Sequence, residues 1–284
     1  MKVDFHVHST ASDGTFKPTE IAAMTSHYAA VALTDHDNIG GIDDFLAAAH
    51  ASAWAGVELS VAPGPGFDEF HLLGLGLDPT STELKKFLKR ILDGRNARNE
   101  QILSNFRRLG IEMGEEIQGY ANGEVLARPH FARWLVEHNQ AQDIVEAFTR
   151  YLKPDSPLET RCYEERWCPS PEEAFAALHA AGALCVMAHP KYAARRWATT
   201  GVDYDVLTRE LARLKEIGLD GIEAIYGAHT NEENVNFTLL ATKLGLLKSA
   251  GSDFHGANKP MIHLGMEVDA AYIAPLLEAL PHSV

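Results

Sequence analysis

The chain has 284 residues, 46% apolar and 23% charged, which is ordinary for a globular protein and enough for one large α/β domain or two smaller ones. Lys and Arg number 25 against 39 Asp and Glu, a net charge of −14, so the surface as a whole repels nucleic acid and anionic membranes and no stable nucleic-acid complex is expected. Three Cys, odd in number and without a C-x-x-C pair, exclude a disulfide framework, and no apolar run reaches membrane-spanning length; a cytoplasmic protein with no membrane partner is expected.

The chain opens on Val3-Asp4-Phe5-His6-Val7-His8. Apolar and polar residues alternate there, so the stretch reads as a strand with His6 and His8 on one face. Asp13 follows in the turn Ser12-Asp13-Gly14. Pro18 starts an amphipathic helix over 18–29. A buried strand at 31–34 runs into Asp35-His36-Asp37, and a helix is expected over 41–54. Strands at 56–60 and 70–77 carry Glu58 and His71, with a Pro63-Gly64-Pro65-Gly66 turn between them.

From 79 to 182 no strand is expected. The periodicity gives helices over 81–92, 94–109, 121–138, 142–152 and 170–181. The first two carry Lys85, Lys86, Lys89, Arg90, Arg95, Arg98, Arg107 and Arg108, which read mostly as a solvated face. Strands return at 183–189, 220–226 and 246–253, separated by helices 203–217 and 231–244. A short strand at 263–268 and a helix at 271–280 finish the chain. Seven strands alternating with helices imply a parallel α/β barrel or open sheet. In barrels, functional groups gather at strand C-terminal ends. His71, at the start of its strand, is the exception to that pattern.

Nine residues stand out as N/O metal ligands: His6, His8, Asp13, His36, Glu58, His71, His189, Asp253 and His255. They are too many for one ion. They suit two or three divalent transition-metal ions, with Glu58 as a bridging carboxylate. Asp35 and Asp37 are expected to orient imidazoles or to cap the next helix.

Five motifs in order carry a family resemblance: His6-Val7-His8-Ser9, Ser12-Asp13-Gly14, Leu33-Thr34-Asp35-His36-Asp37, Ala188-His189-Pro190 and Gly251-Ser252-Asp253-Phe254-His255. Together they resemble the polymerase and histidinol phosphatase (PHP) family of metal-dependent phosphoesterases. The resemblance implies a distorted (β/α)7 barrel with a helical insertion after the fourth strand and a trinuclear metal centre, manganese foremost, with zinc or iron as alternatives. It divides the ligands into three sets: His6, His8, Glu58 and Asp253; Glu58, His71 and His189; Asp13, His36 and His255. It also implies a barrel from 1–78 and 183–284 and an insertion at 79–182 that serves as a substrate lid.

Ala127-Arg128-Pro129-His130-Phe131-Ala132 resembles the insertion of the 3′,5′-nucleotide bisphosphate phosphatases, a subgroup with relatives that trim short RNA from the 5′ end. That likeness implies removal of the 3′-phosphate from a 3′,5′-bisphosphonucleotide by a metal-bridging hydroxide. Its substrate would be a small phosphorylated nucleotide or short RNA. Glu58, Asp253 and His130 would be catalytic. Arg128, His130, Lys191, Arg195 and His229 would contact substrate. The alternatives are a 5′→3′ exonuclease on short RNA and a non-catalytic regulatory domain, against which the full ligand set speaks.

Overall fold

The computed structural model describes residues 1–49, 52–62, 69–121, 126–193 and 202–281. Two compact units divide the chain: Met1–Leu88 with Cys168–Val284, and Lys89–Trp167.

The first unit is built on one eight-stranded sheet. Its strands are β1 (Lys2–Val7), β2 (Ala30–Leu33), β3 (Ala53–Val61), β4 (Phe70–Leu75), β5 (Leu184–Met187), β6 (Gly221–Tyr226), β7 (Leu247–Gly251) and β8 (Met266–Glu267). They lie in the order β7-β6-β5-β4-β3-β2-β1-β8. The ends of β1 and β7 meet as well. Asp253 N donates to His6 O (2.8 Å), His8 N donates to Phe254 O (3.0 Å), and Val7 bridges Phe254. The sheet is therefore a nearly closed barrel.

The short strand expected at 263–268 is β8, which pairs antiparallel with β1 and makes eight strands among the described residues, one more than the seven the family resemblance implies. One expectation changes: the sheet is not all parallel. No described helix separates β3 from β4, so β4 returns antiparallel to β3 and also to β5. This reversal explains His71. The start of an antiparallel strand lies at the same end as the finish of its parallel neighbours, and His71 pairs with Ser60 near the end of β3.

Apolar side chains fill the barrel. Val3 and Phe5 cluster with Leu73, Leu75, Val186 and Ala250. Helices α1 (Pro18–Met24), α2 (Ile42–Ala48), α6 (Pro171–Ala180), α7 (Pro190–Ala193), α8 (Tyr204–Ile217), α9 (Asn231–Leu244) and α10 (Ala270–Ala279) accompany the strands. Helix α2 ends six residues before the expected 54 because β3 already begins at Ala53.

In the second unit the expected helices 81–92 and 94–109 are one, α3 (Thr82–Arg108), which begins in the barrel unit. Gly94 does not break it. A Cβ there would sit 3.3 Å from Trp167 Cβ and 3.4 Å from Trp167 O, so the glycine serves close packing rather than a turn. Arg95 and Arg98 are buried, at 6% and 7% exposure, so these two do not belong to a solvated face. Arg98 Nε donates to Asn99 Oδ1 (2.9 Å), and Asn99 Nδ2 to Leu126 O. Helix α4 (Arg128–Glu137) starts later than 121 because Pro129 fits only a first turn. A short α5 (Ile144–Ala147) runs on into a π-turn at Phe148–Leu152. Ile102, Phe106, Phe131, Trp134, Leu135 and Tyr151 anchor this unit's own core.

Candidate metal centre

Glu58 lies at the middle of the site and is wholly buried. The chain after β2 keeps pairing with β3. Glu58 N donates to Asp35 O, Asp37 N donates to Glu58 O, and His36 is thereby set beside Glu58. Five imidazole nitrogens surround the carboxylate. His6 Nε2 (3.2 Å), His8 Nε2 (3.1 Å) and His36 Nδ1 (3.0 Å) face Oε2. His71 Nδ1 (2.7 Å) and His189 Nε2 (3.0 Å) face Oε1.

Asp253 adds a second carboxylate. Its Oδ1 lies 3.5 Å from His6 Nε2, 3.4 Å from His8 Nε2 and 3.3 Å from His255 Nδ1. Its Oδ2 is turned away and accepts from Tyr226 OH (2.9 Å) and Lys259 Nζ (2.6 Å). Asp13 adds a third, 3.2 Å from His255 Nε2, 3.8 Å from His8 Nδ1 and 3.9 Å from His36 Nε2. All nine expected ligands thus lie in one connected cluster. Its donor atoms fall into three overlapping groups: His6, His8, Glu58 and Asp253; His8, Asp13, His36 and His255; and His36, Glu58 and His71. His189 joins through Glu58 Oε1.

This donor set fits cations. A tetrahedral ion with bonds of about 2.1 Å separates its ligands by about 3.4 Å. The contacts at Glu58 Oε2 and Asp253 Oδ1 bracket that spacing. His6 Nε2 and His8 Nε2 approach each other at 3.1 Å while both face the same carboxylates. His36 Nδ1 and Glu58 Oε2 are buried and 3.0 Å apart, yet neither makes a hydrogen bond. Polar atoms left that way are costly unless something else satisfies them.

Charge points the same way. Burial would push the Glu58 carboxyl up, but His36, His6 and His71 outweigh it and hold it well below the usual carboxylate range. Burial is likewise overcome at Asp13 by His36 and His255, and at Asp253 by His6, His8 and His255. All three are acceptors only. At His189 burial wins and pushes the imidazole down, which leaves it neutral.

Other residues orient the ligands. Glu223, wholly buried, takes His6 Nδ1 at 3.0 Å and accepts His189 N at 2.7 Å. Asp4 accepts from His6 N, Ser252 N, Ser252 Oγ and Gly265 N. Asp35 accepts from Ser9 N, Ser9 Oγ and Ser12 Oγ, and so shapes the turn that carries Asp13. Asp37 accepts from Ser60 N. Neither Asp35 nor Asp37 caps α2, whose first residue follows Gly41 without a side-chain cap. Asp37, His189 and Asp253 take φ of 50°, 29° and 61°. Backbone in that region costs about 1–3 kcal/mol per residue and persists where surroundings enforce it, commonly at active sites.

The other expected contacts lie in varied surroundings. Lys191 is 8% exposed, with Nζ on Ala228 O and Glu233 Oε2. His229 stacks on Phe237 and pairs with Asn234 Oδ1. Burial, helped by the Lys191 ammonium, pushes its imidazole down to about 4. In the second unit, Arg128 lies over the Tyr163 ring at 5.4 Å. His130 Nδ1 accepts from Ala127 N, closing the first turn of α4. Arg195 falls outside the described residues. Glu223, Asp4, Tyr226 and Lys259 were not singled out by sequence reasoning. For Glu223 a signal existed: one acid in the apolar run Gly221-Ile222-Glu223-Ala224-Ile225.

Fold and site together define an α/β barrel with a buried His, Asp and Glu cluster able to hold several metal ions. The family follows from comparison. The PHP domain model matches residues 4–222, and the chain belongs to that family. It is 34% identical to the 3′,5′-nucleoside bisphosphate phosphatase of Chromobacterium violaceum, over 89% of this chain and 87% of that one. It is 32% identical to the 5′-3′ exoribonuclease of Haemophilus influenzae, over 89% and 90%. Among solved structures, a C. violaceum protein described as an amidohydrolase, with sulfate bound and no metal, superposes with a TM-score of 0.80 at 32% identity, covering 98% of this chain and 96% of that one. Among the described residues no helix is long and apolar enough to cross a membrane.

Proposed function

We propose that this phosphoesterase removes the 3′-phosphate from 3′,5′-bisphosphonucleotides, such as adenosine 3′,5′-bisphosphate, to leave the nucleoside 5′-monophosphate. The observation that carries the reading is Glu58 ringed by five imidazole nitrogens, in a chain 34% identical to a relative named for that activity. Two or three divalent ions, manganese foremost, would be held by the nine clustered residues. Bound there, such ions supply Lewis acidity toward the phosphoryl oxygens and an acidified water.

The chain's own groups set up the rest. Glu58 offers one oxygen to His71 and His189 and the other to His6, His8 and His36, the disposition of a bridging ligand. Tyr226 and Lys259 occupy Asp253 Oδ2 and leave Oδ1 to the cluster. The Lys259 ammonium, 40% exposed, brings a cation to the cluster's edge, where phosphate oxygens carry negative charge. Arg128 and His130 are proposed to hold the second phosphate, for which a guanidinium is well suited.

The names of the H. influenzae relative and of an Escherichia coli 5′-3′ exoribonuclease, 30% identical over 93% of this chain, favour a second reading, cleavage of short RNA. Both are tested on one preparation supplied with manganese. It is offered adenosine 3′,5′-bisphosphate, 5′-AMP, 3′-AMP and a short 5′-phosphorylated RNA. The expected result is 5′-AMP plus phosphate from the bisphosphate, with kcat/KM at least about tenfold above the rest. Nucleotide release from RNA at comparable kcat/KM puts the second reading first. Arg128→Ala should lower kcat/KM for the bisphosphate by roughly one to two orders of magnitude and hardly change it for a monophosphate. Equal losses on both would remove Arg128 from the second phosphate.

A further inference from the structure

We propose that His179, Cys185 and Asp220 form a second metal site, separate from the barrel cluster, for a single divalent cation of the zinc class. The three side chains come from three places in the fold. His179 lies in the last turn of α6, Cys185 is the second residue of β5, and Asp220 immediately precedes β6. A ring nitrogen, the sulfur and a carboxylate oxygen all lie within 4.8 Å of one another. His179 Nε2 is 2.8 Å from Asp220 Oδ2, and that oxygen also accepts the Cys185 N–H at 2.8 Å. One carboxylate thus already fixes both the imidazole and the start of β5.

Direction and exposure suit a cation entering from solvent. Leu184 and Val186 pack in the barrel core, so Cys185, between them, faces the helix layer. Its sulfur is buried, while the His179 and Asp220 side chains keep 40% and 31% of their surface. The site is closed behind sulfur and open before imidazole and carboxylate. Three protein ligands and one position left to water is a common zinc arrangement. Thiolate with imidazole selects zinc or cobalt over the hard cations magnesium and calcium. Such an ion takes the place of the proton shared by His179 and Asp220. It also sends the Cys185 thiol proton to solvent, against the burial and the Asp220 charge that hold that thiol protonated without metal. With bonds of about 2.0–2.3 Å it needs that pair to part by about half an ångström.

The two sites lie at different ends of the strands. Cys185 and Asp220 stand where β5 and β6 begin, whereas His189 follows the end of β5. Four residues of extended chain separate Cys185 from His189, about 13 Å. An ion at Cys185 therefore touches none of the nine clustered residues. It ties the end of α6 to β5 and to the start of β6.

Cobalt makes the test selective. The barrel cluster holds His, Asp and Glu only, so a thiolate-to-cobalt charge-transfer band reports a cysteine site alone. Full-length protein, stripped with chelator and kept reduced, is titrated with Co2+ and followed in the near ultraviolet. The proposal expects a band that saturates at one ion per chain. It should persist in Cys168→Ser, vanish in Cys185→Ser, and require at least about tenfold more cobalt in His179→Ala. Zinc should raise the Tm of wild type more than that of Cys185→Ser, and phosphatase turnover with manganese should be equal in the two. Circular dichroism confirms that each variant is folded. Absence of the band from folded wild type at saturating cobalt would overturn the proposal and leave the triad as a hydrogen-bonded tie. A band that survives Cys185→Ser would overturn it too, because the sulfur would then belong to Cys162 or Cys168.

Discussion

Glu223 shows how much of a metal site rests on residues that touch no metal. Its carboxylate receives His6 Nδ1 and the backbone N–H of His189. When a cation is bound, Glu223 keeps the proton on Nδ1 and so leaves Nε2, which faces Glu58 and Asp253, free for the metal. Glu223→Gln keeps the shape but removes the charge that favours this tautomer. Metal affinity should fall about 10–100-fold, read by competition with a chromophoric chelator, while circular dichroism stays that of wild type. Unchanged affinity would make Glu223 a packing residue. His229 yields a prediction of another kind. Its folded pKa, about 4, lies below the ordinary value near 6.5, because burial and the Lys191 charge oppose protonation. The unfolded chain therefore binds the extra proton between those values. The stability held above about pH 6.5 is lost as pH falls toward 4. Partial exposure to solvent scales the loss down to about 1–2 kcal/mol. By urea unfolding, His229→Asn should lose about 1–2 kcal/mol less stability than wild type between pH 7 and 4.5. An unchanged slope would assign the acid limb to other groups.

At the scale of elements, the barrel departs from regularity where the site needs it. Between Asp4 and Val7, β1 has one residue more than β2, and between Glu223 and Ile225, β6 has one more than β7. Both irregularities adjoin the His6–Glu223 contact. A bulge re-aims a side chain at the cost of regular pairing, and here it interrupts the strict alternation expected of β1. Gly251 closes the same seam. A Cβ on it would lie 2.3 Å from Glu223 Oε1 and 2.4 Å from His6 Cβ. Gly251→Ala should destabilise the protein by about 1–3 kcal/mol, measured by urea unfolding, and weaken metal binding with it. Loss of stability with metal affinity intact would show that the seam moves without the ligands. These features also mark what the sequence could reveal. Strand-end His and Asp residues were legible because strand ends in α/β barrels carry function and because five motifs occur in order. The reversal at β4 was not, since antiparallel and parallel strands share one apolar pattern and differ only in the connection. His71, out of place in a parallel reading, was its trace. The continuity of α3 was hidden for a similar reason: a glycine reads as a break unless the residue packed on it, Trp167, is known.

At the scale of the whole molecule, the two units divide the work of stability differently. Lys89–Trp167 rests on an apolar core of Phe106, Phe131, Trp134 and their neighbours. The barrel unit has its apolar core too, but it also buries Glu58, Asp253, His6, His8 and His255. Packing those side chains together without cations leaves buried polar atoms such as Glu58 Oε2 and His36 Nδ1 without hydrogen bonds. Ions that bind only the folded cluster stabilise it by mass action. All nine clustered residues lie in the barrel unit, so that stabilisation has a place in the chain. Chelation should speed amide exchange in peptides from β1, β3 and the segment after β7, by about a hundredfold for every ion that the opening releases, where each was held at a hundred times its dissociation constant. Peptides from the apolar core at 126–152 should exchange as before, and readdition of manganese should restore the strands. Hydrogen-exchange mass spectrometry on metal-loaded and chelated protein reads both sets at once. Equal loss of protection in both units would mean that the chain opens as one cooperative body. No change in β1 or β3 would mean that the cluster is rigid without ions, held by the five imidazoles' own attraction to Glu58.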